Sequence, residues 1–581
     1  MLRTRSFSSL REHLFGAPFD NSLGGTVPRH RHIVIATAVV ACLTVAPGLA
    51  HAAGPGAATA PSAQPKPGKE AKTAGPIAPS ALSTFQSPAE ASVRQQDRSA
   101  AEGRQAAAAA TANSSLAVGL HAETISAYSI NLRTMLISDL APLDLVIDWG
   151  DGTSDRYDGL NPGLSDRNHQ YAKLGQYTVS VTVSDRSGGV STNAVTLSTE
   201  GSEFTPYGPT RLLDTRDGTG APAGRVQPWG ETRVKIAGNG GIPAGVTAVA
   251  LNLTAVEPGG AGHIIAYPGG TERPTTSNVN YVAGRTVPNL AIVPVGSDGY
   301  VNLANRGVGA VDLIADIAGY FTQNEAAGYT AVSPTRLVDT RDGTGTTRGQ
   351  VPGWTSFSAQ VTGRAGVPAG ARAVALNVTV TDPNSDGHLT VYPGGGRAPS
   401  ASNLNFYRGQ TIANAVIVPV DAAGRIQVLN AADGASDVIV DVVGYYGDPG
   451  GSAYVAIEPL RLGDTRDSPN GGLPSQSYVY VDLSAGLPEY TGFVLNTTVT
   501  NTAADGHLTV FPDPNSLEQY YRGTNVWPAK PNASTLNWKA GDTVPNLVQA
   551  NPGSHGIVDF WNASGGDIDL IIDMFGYYQN R

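Results

Sequence analysis

PTRLVDTRDGTG runs from Pro334 to Gly345; the same phrase stands earlier as PTRLLDTRDGTG, Pro209 to Gly220, and later as PLRLGDTRDSPN, Pro459 to Asn470. Successive starts are 125 positions apart. Each copy is followed by an LNxT segment (Asn252, Asn377, Asn496), a Gly-His step (His263, His388, His507) and an ending IADIAGYF, IVDVVGYY or IIDMFGYY. Solenoid units are about 20 to 50 residues long, so a period this large predicts three tandem domains.

Within the second copy, short runs divided by Gly, Pro and Asp read as eight strands, from YTAVSPTRLVDT to SDVIVDVVGYY. Eight antiparallel strands in about 120 residues predict a two-sheet sandwich, most simply wired as a jelly roll. The repeats are placed at 204–323, 328–448 and 452–580. An insertion from about Pro514 to Lys530 in the third is expected as a surface loop.

Upstream, residues 116–200 contain LVIDWGDGTSD (Leu145 to Asp155), NHQY (Asn168 to Tyr171) and GQYTVSVTVSD (Gly175 to Asp185). Tyr177, Val179, Val181 and Val183 alternate with hydroxyl residues, as a half-buried strand requires. The WGDG turn, the His-x-Tyr step and the GxYxVxVxVxD strand resemble the polycystic kidney disease (PKD) domain, which implies an immunoglobulin-like β-sandwich of secreted and surface proteins. Asp148, Asp151 and Asp155 admit a calcium reading, but acidic turn residues more often bond their own backbone. The three large copies resemble repeats of secreted actinobacterial proteins, a resemblance that implies no activity. All-β architecture is therefore expected throughout: one PKD-type sandwich followed by three tandem jelly-roll-like sandwiches.

The N-terminal segment 1–52 reads as a signal peptide. A basic cluster at Arg29 to His32 precedes an apolar run from Ile33 to Val45, and Ala50-His51-Ala52 has the small-x-small form of a cleavage site. The one cysteine, Cys42, lies within it, so no disulfide is expected in the mature chain. Residues 53–115 are rich in Ala, Pro and Gly and read as a disordered spacer. No second apolar run approaches the length of a membrane helix. With no wall-sorting tail ahead of Arg581, release or non-covalent retention at the cell surface is expected.

Charge narrows the partners. With 38 Lys+Arg against 48 Asp+Glu, the basic stripe of a nucleic-acid binder is lacking. Recurrence marks candidate residues. Arg211, Asp214 and Arg216 return as Arg336, Asp339 and Arg341, then as Arg461, Asp464 and Arg466. Last-strand Asp316 returns as Asp441 and Asp573. These are read as structural ion pairs joining first and last strands. A carboxylate pair for glycoside hydrolysis is the alternative, and it would require three active sites in tandem.

Alternation puts His263 with Tyr267, His388 with Tyr392, and His507 with Phe511 on one strand face; a ring beside a polar donor suits a sugar. These six form the candidate ligand site. One histidine per repeat makes no metal centre, DPNSDG (Asp382 to Gly387) lacks the acidic twelfth position of a calcium loop, and no cofactor is expected. The expectation is a secreted, non-catalytic protein binding an extracellular glycan or cell-wall polymer through tandem display. A secreted glycan hydrolase and a passive spacer are the alternatives.

Overall fold

A computed structural model describes residues 44–46, 83–96, 115–447, 451–468, 471–484 and 487–581. Cys42, nearly all of the expected signal peptide and most of the expected spacer lie outside them. Two compact units divide the chain, one ending at Glu200 and one running from Gly201 to Arg581.

The first unit is a β-sandwich. One sheet has the order Val93–Gln96, Gly189–Ser198, Gln176–Asp185, Leu143–Asp148, Ser154–Leu160; the other has Thr84–Ser87, Ala117–Thr124, Ser129–Ile137, Gly163–Gln170. Two of these strands fall within 84–96, in the stretch expected as spacer, so the sandwich starts earlier than 116. They add edge strands to both sheets, and Asn193 ties them in by donating to the carbonyls of Ser87 and Pro88. Composition hid them because an edge strand buries little and needs few large apolar residues.

Each repeat has eight strands. In the first they are Glu203–Asp214, Glu231–Lys235, Val246–Val256, Gly262–Pro268, Val279–Tyr281, Val287–Pro294, Tyr300–Asn305 and Asp312–Thr322. One sheet has the order first, eighth, third, sixth; the other has second, seventh, fourth, fifth, and all three repeats share this order. This is jelly-roll wiring, with chain-distant first and eighth strands paired side by side. Leu251, Leu253, Ile264, Ala266 and Leu303 are among the residues filling the space between the two sheets of the first repeat.

The three repeats are not beads in a row. Their first-eighth-third-sixth sheets are buried on both faces, one on the repeat's own core and one on the sister repeats. The shared core contains Phe204, Phe321, Tyr329, Tyr446, Tyr454 and Tyr578, packed over the small residues Ala248, Ala250, Ala373 and Ala375. Gly319, Gly444 and Gly576 make room for it, since a Cβ at any of them would overlap the ring of Phe204, Tyr329 or Tyr454 respectively.

Hydrogen bonds close the arrangement into a ring. Ser202 pairs through its backbone with Tyr454, Phe204 with Ala327, and Tyr329 with Ser452. The sixth-strand asparagines repeat the cycle: Asn414 Oδ1 accepts from Leu290 N (3.4 Å), Asn546 Oδ1 from Ala415 N (2.8 Å) and Asn289 Oδ1 from Leu547 N (3.3 Å). Asn252, Asn377 and Asn496, the asparagines of the LNxT segments, each donate across a seam, to the carbonyls of Ser402, Ser534 and Ser277. Their burial excludes them as glycosylation acceptors.

Thr44–Ala46 pairs antiparallel with Ser477–Asp482, the second strand of the third repeat. The insertion expected as a loop instead contains a helix, Leu517–Arg522. Ser516 and Gln519 form a reciprocal capping box and Gly523 ends the helix in a left-handed conformation. Leu517 and Tyr520, one turn apart, pack against Tyr478 and Tyr480 on the outer face of the second sheet.

Candidate functional site

The recurring arginines and aspartates meet at the seams. Arg211 Nε donates to Asp316 Oδ1 (2.9 Å) and its Nη1 to Asp214 Oδ2 (3.0 Å), while Arg216 holds the same Asp214 through Nε and Nη2. Arg336 bonds Asp441 and Asp339, with Arg341 also on Asp339. Arg461 bonds Asp573 and Asp464, with Arg466 on Asp464. Two of these networks cross to a neighbour: Arg336 Nη2 reaches the carbonyl of Asn532 (2.9 Å), and Asp573 Oδ2 accepts from Ser277 N (2.9 Å).

Hydrogen bonds from Arg216 and Arg341 hold Asp214 and Asp339 below the usual carboxylate range. Burial instead pushes Asp316, Asp441 and Asp573 up, against the arginines. Two seam cavities, of about 30 and 10 Å³, are lined partly by Asp441 and Asp316 and have room for a water molecule or so. A polysaccharide does not enter them.

The six residues of the sequence-based ligand site sit on the outer face of the second sheet, but the rings of Tyr267, Tyr392 and Phe511 are closed to a ligand. Tyr267 packs with Ile265 and Ala304, its hydroxyl on Glu231 Oε2 (2.8 Å). Tyr392 is buried, and Phe511 lies in the aromatic cluster covered by the third repeat's insertion. The expectation fails because an outward strand face is an open face only where neighbouring side chains and loops leave it bare. The three histidines are partly buried, and burial lowers each ring below its ordinary value, His507 to about 4 with Lys530 Nζ 3.3 Å away.

Other aromatic side chains are displayed. Trp229 and Trp354 occupy the same place in the first and second repeats, 125 residues apart, just ahead of the second strand. They are 63% and 66% exposed, with φ of 62° and 57°. A bulky residue in the left-handed region is an outlier that costs about 1–3 kcal/mol, and such strain gathers at functional positions.

The preceding turn is clamped from below. Asn305 and Asn430 of the seventh strand donate to Val226 and Gln227, and to Val351 and Pro352. Polar groups stand beside each indole. The Arg306 guanidinium lies 5.9 Å from the Trp229 ring centre, and Trp354 Nε1 donates to Asp433 Oδ1 (2.8 Å).

The third repeat has Gln476 at this position, also left-handed, with φ of 52°. There the insertion supplies the ring instead. Trp527, 47% exposed, stands edge-on to Tyr478 and Trp561 at 5.0 and 5.3 Å. Each repeat thus displays one tryptophan near the start of its second strand. Sequence reasoning missed them, although a tryptophan recurring at the repeat period beside Pro and Gly was a visible signal.

In the first unit, Asp148, Asp151 and Asp155 serve their own turn. Asp148 accepts from Gly150 N, Asp151 from Thr153 and His169, and Asp155 from Trp149 Nε1. Among the described residues, no group of three or more His, Cys, Asp or Glu is arranged to hold a metal ion.

No family model matches the chain, and no curated protein matches it. Solved structures do. A carbohydrate-binding module of the β-sandwich superfamily, studied for its promiscuous specificity, aligns at 13% identity over 32% of this chain and 91% of that one, with a TM-score of 0.13. The tandem CBM22-1–CBM22-2 domain of Paenibacillus barcinonensis Xyn10C aligns at 12% identity over 42% and 94%, with a TM-score of 0.14. Bacteroides ovatus SGBP-B of the mixed-linkage glucan utilization locus, in complex with a mixed-linkage heptasaccharide, aligns at 11% identity over 76% and 92%, with a TM-score of 0.12. With scores of this size, any functional reading rests on this chain's own geometry.

Proposed function

We propose that this chain is a secreted or surface-displayed, non-catalytic protein that binds an extracellular glycan or cell-wall polymer through three displayed tryptophans, one on each jelly roll. The observation that carries the reading is the pair Trp229 and Trp354, set in water by a strained backbone at equivalent positions. An exposed indole offers a flat apolar face to the CH face of a sugar ring, and Arg306 or Asp433 beside it can bond hydroxyls. Because the three repeats form one closed body, the rings hold fixed spacings, so one polymer engaging two of them gains avidity without new contacts.

A catalytic reading has less support. The recurring carboxylates Asp316, Asp441 and Asp573 lie buried in the seams on arginines. Export rests on the leader-like segment 1–52. The first unit is proposed as a PKD-like module, on its WGDG turn and GxYxVxVxVxD strand.

The test is a glycan array and a cell-wall pull-down with the full chain, against Trp229→Ala, Trp354→Ala and Trp527→Ala, singly and together. Losing one stacked ring, worth about 0.5–1.5 kcal/mol, should weaken retention by up to about tenfold. The triple variant should lose binding while remaining folded by circular dichroism, and Trp229→Ala, whose ring is 63% exposed, should weaken binding with its unfolding midpoint kept. Undiminished binding by the triple variant would end the proposal. Mass spectrometry of culture supernatant should find a mature N-terminus near Ala53; recovery only of full-length chain from the cytoplasm would remove the export reading.

A further inference from the structure

The displayed tryptophans stand beside unlike charges. In each repeat the asparagine that clamps the turn ahead of the second strand also opens the segment leading to the eighth strand. That segment reads Asn305-Arg306-Gly307-Val308 in the first repeat, Asn430-Ala431-Ala432-Asp433 in the second and Asn562-Ala563-Ser564-Gly565 in the third. The first repeat thus has a base at the second place, the second repeat an acid at the fourth, and the third neither. Val308, 73% exposed, stands where the second repeat has Asp433.

Arg306 is anchored without being neutralised. Its backbone N donates to the His263 carbonyl (2.8 Å) and its Nη1 to the Trp229 carbonyl (3.0 Å), which holds the guanidinium 5.9 Å from the centre of the indole. Arg306 makes no ion pair among the described residues, and its Nη2, which has no partner there either, is open to water. Glu231, two residues past Trp229, has its carboxylate on the Tyr267 hydroxyl (2.8 Å). On a chain with a formal net charge of −10, an uncompensated cation beside an exposed ring is a local reversal of sign. The second repeat inverts it: Asp433 Oδ1 accepts from Trp354 Nε1 (2.8 Å), and no cation among the described residues pairs with that carboxylate.

A sugar stacked on an indole brings the substituents of its ring carbons to the rim of the aromatic plane, where the neighbouring charge meets them. At the rim of Trp229 a carboxylate would accept a charge-assisted hydrogen bond from the guanidinium. At the rim of Trp354 the same carboxylate would meet Asp433 and be repelled. A neutral sugar meets neither gain nor penalty of this kind.

We infer, resting on the glycan reading above, that the site of Trp229 and Arg306 takes a uronic acid residue, a sugar bearing a carboxylate on its ring, and that the site of Trp354 and Asp433 rejects one. The repeats then divide one polymer by charge instead of reading the same sugar in each copy.

The test uses the full chain in two forms, one keeping only Trp229 (Trp354→Ala with Trp527→Ala) and one keeping only Trp354 (Trp229→Ala with Trp527→Ala). Each is passed over beads carrying polygalacturonate, alginate or hyaluronate, and over the methyl ester of each, which keeps the backbone and removes the charge. The Trp229 form should hold at least one acid about two- to fivefold more tightly than its ester, the range of a solvent-exposed ion pair, and lose that preference at about 1 M salt. The Trp354 form should prefer the esters. In the Trp229 form, Arg306→Gln should erase the preference and Arg306→Lys should keep part of it. Because Arg306 also holds the Trp229 carbonyl, Val308→Asp supplies a second route: it leaves Arg306 in place, sets the second repeat's acid beside it, and should erase the preference with circular dichroism unchanged.

Equal retention of every acid and its ester by the Trp229 form would overturn the inference and leave the glycan reading intact. So would a preference that neither Arg306→Gln nor Val308→Asp reduces, or tighter retention of dextran sulfate than of any uronate, which marks a general polyanion surface. Failure to hold any acid or ester, with neutral glycans of the array still held through Trp229, likewise removes this inference alone. A chain that holds no glycan at all removes both.

Discussion

Replacing Asn546 by leucine tests whether the three repeats form a closed body. Asn546 is fully buried on the sixth strand of the third repeat. Its Nδ2 donates to Asn377 Oδ1 (2.9 Å) and Thr535 O (2.7 Å), and its Oδ1 accepts from Ala415 N (2.8 Å). Two of these three bonds cross to the second repeat. Leucine has similar bulk and can make none of them, so three polar groups are orphaned. At about 1–3 kcal/mol for each unsatisfied buried group, less what relaxation or an entering water recovers, the expected loss is about 3–6 kcal/mol. The assay is urea unfolding of the full chain, followed by intrinsic fluorescence and by circular dichroism. Because the aromatic core is shared, the whole three-repeat body should lose stability together, its transition moving as one. A loss below about 1 kcal/mol, or a shift confined to one of several separate transitions, would refute the closed ring and restore three independent beads.

Other outcomes follow from the same geometry. Asp441→Ala should cost about 3 kcal/mol, the lower end for breaking a buried pair, because Arg336 keeps Asp339 and the Asn532 carbonyl. Asp339→Ala, which releases both Arg336 and Arg341, should cost more, and denaturant midpoints of the two variants give the order. Gly444→Ala should destabilise by about 1–3 kcal/mol, since the added methyl meets the buried ring of Tyr329; unchanged melting would mean that the ring can move aside. His507 is held neutral, at about 4 against an ordinary 6.5, so the unfolded chain binds the extra proton as pH falls between those values. Its contribution is intact above about pH 6.5 and is lost toward about pH 4, at most about 3 kcal/mol, and His507→Gln should flatten that part of the pH–stability curve.

Much of the architecture was legible because strand periodicity and turn residues are local. The eight strands of each repeat stand where Gly, Pro and Asp divide apolar runs, and the two-sheet wiring follows from their number and length. The ring was not legible in the same way. VAVALNLTAV, Val246 to Val256 without its Thr247, reads as a strand with one buried face, yet Ala248 and Ala250 face the sister repeats as completely as Val249 and Leu251 face the core. The available clue was an alternation of small with large residues rather than of polar with apolar ones, the mark of a sheet packed on both sides. The ligand face was misjudged for a related reason. Alternation assigns Tyr392 and Phe511 to the outer face correctly but says nothing of what lies over it. Trp229 and Trp354 sit in a turn, where strand alternation does not point to them; their recurrence at the 125-residue period was the signal in the sequence, and their backbone strain adds to it in the structure.

Closure also fixes the copy number. A solenoid can gain or lose a unit at its end and merely change length, since each unit meets only its neighbours. Here the third repeat's Leu547 reaches back to Asn289 of the first, and Asn496 to Ser277, so no repeat is terminal. A chain with two copies would expose a seam of unbonded asparagines and bare aromatic rings, and a fourth copy would find every such partner taken. Lineages carrying this fold should therefore diversify by altering single repeats within a set of three, as the insertion of the third repeat already does.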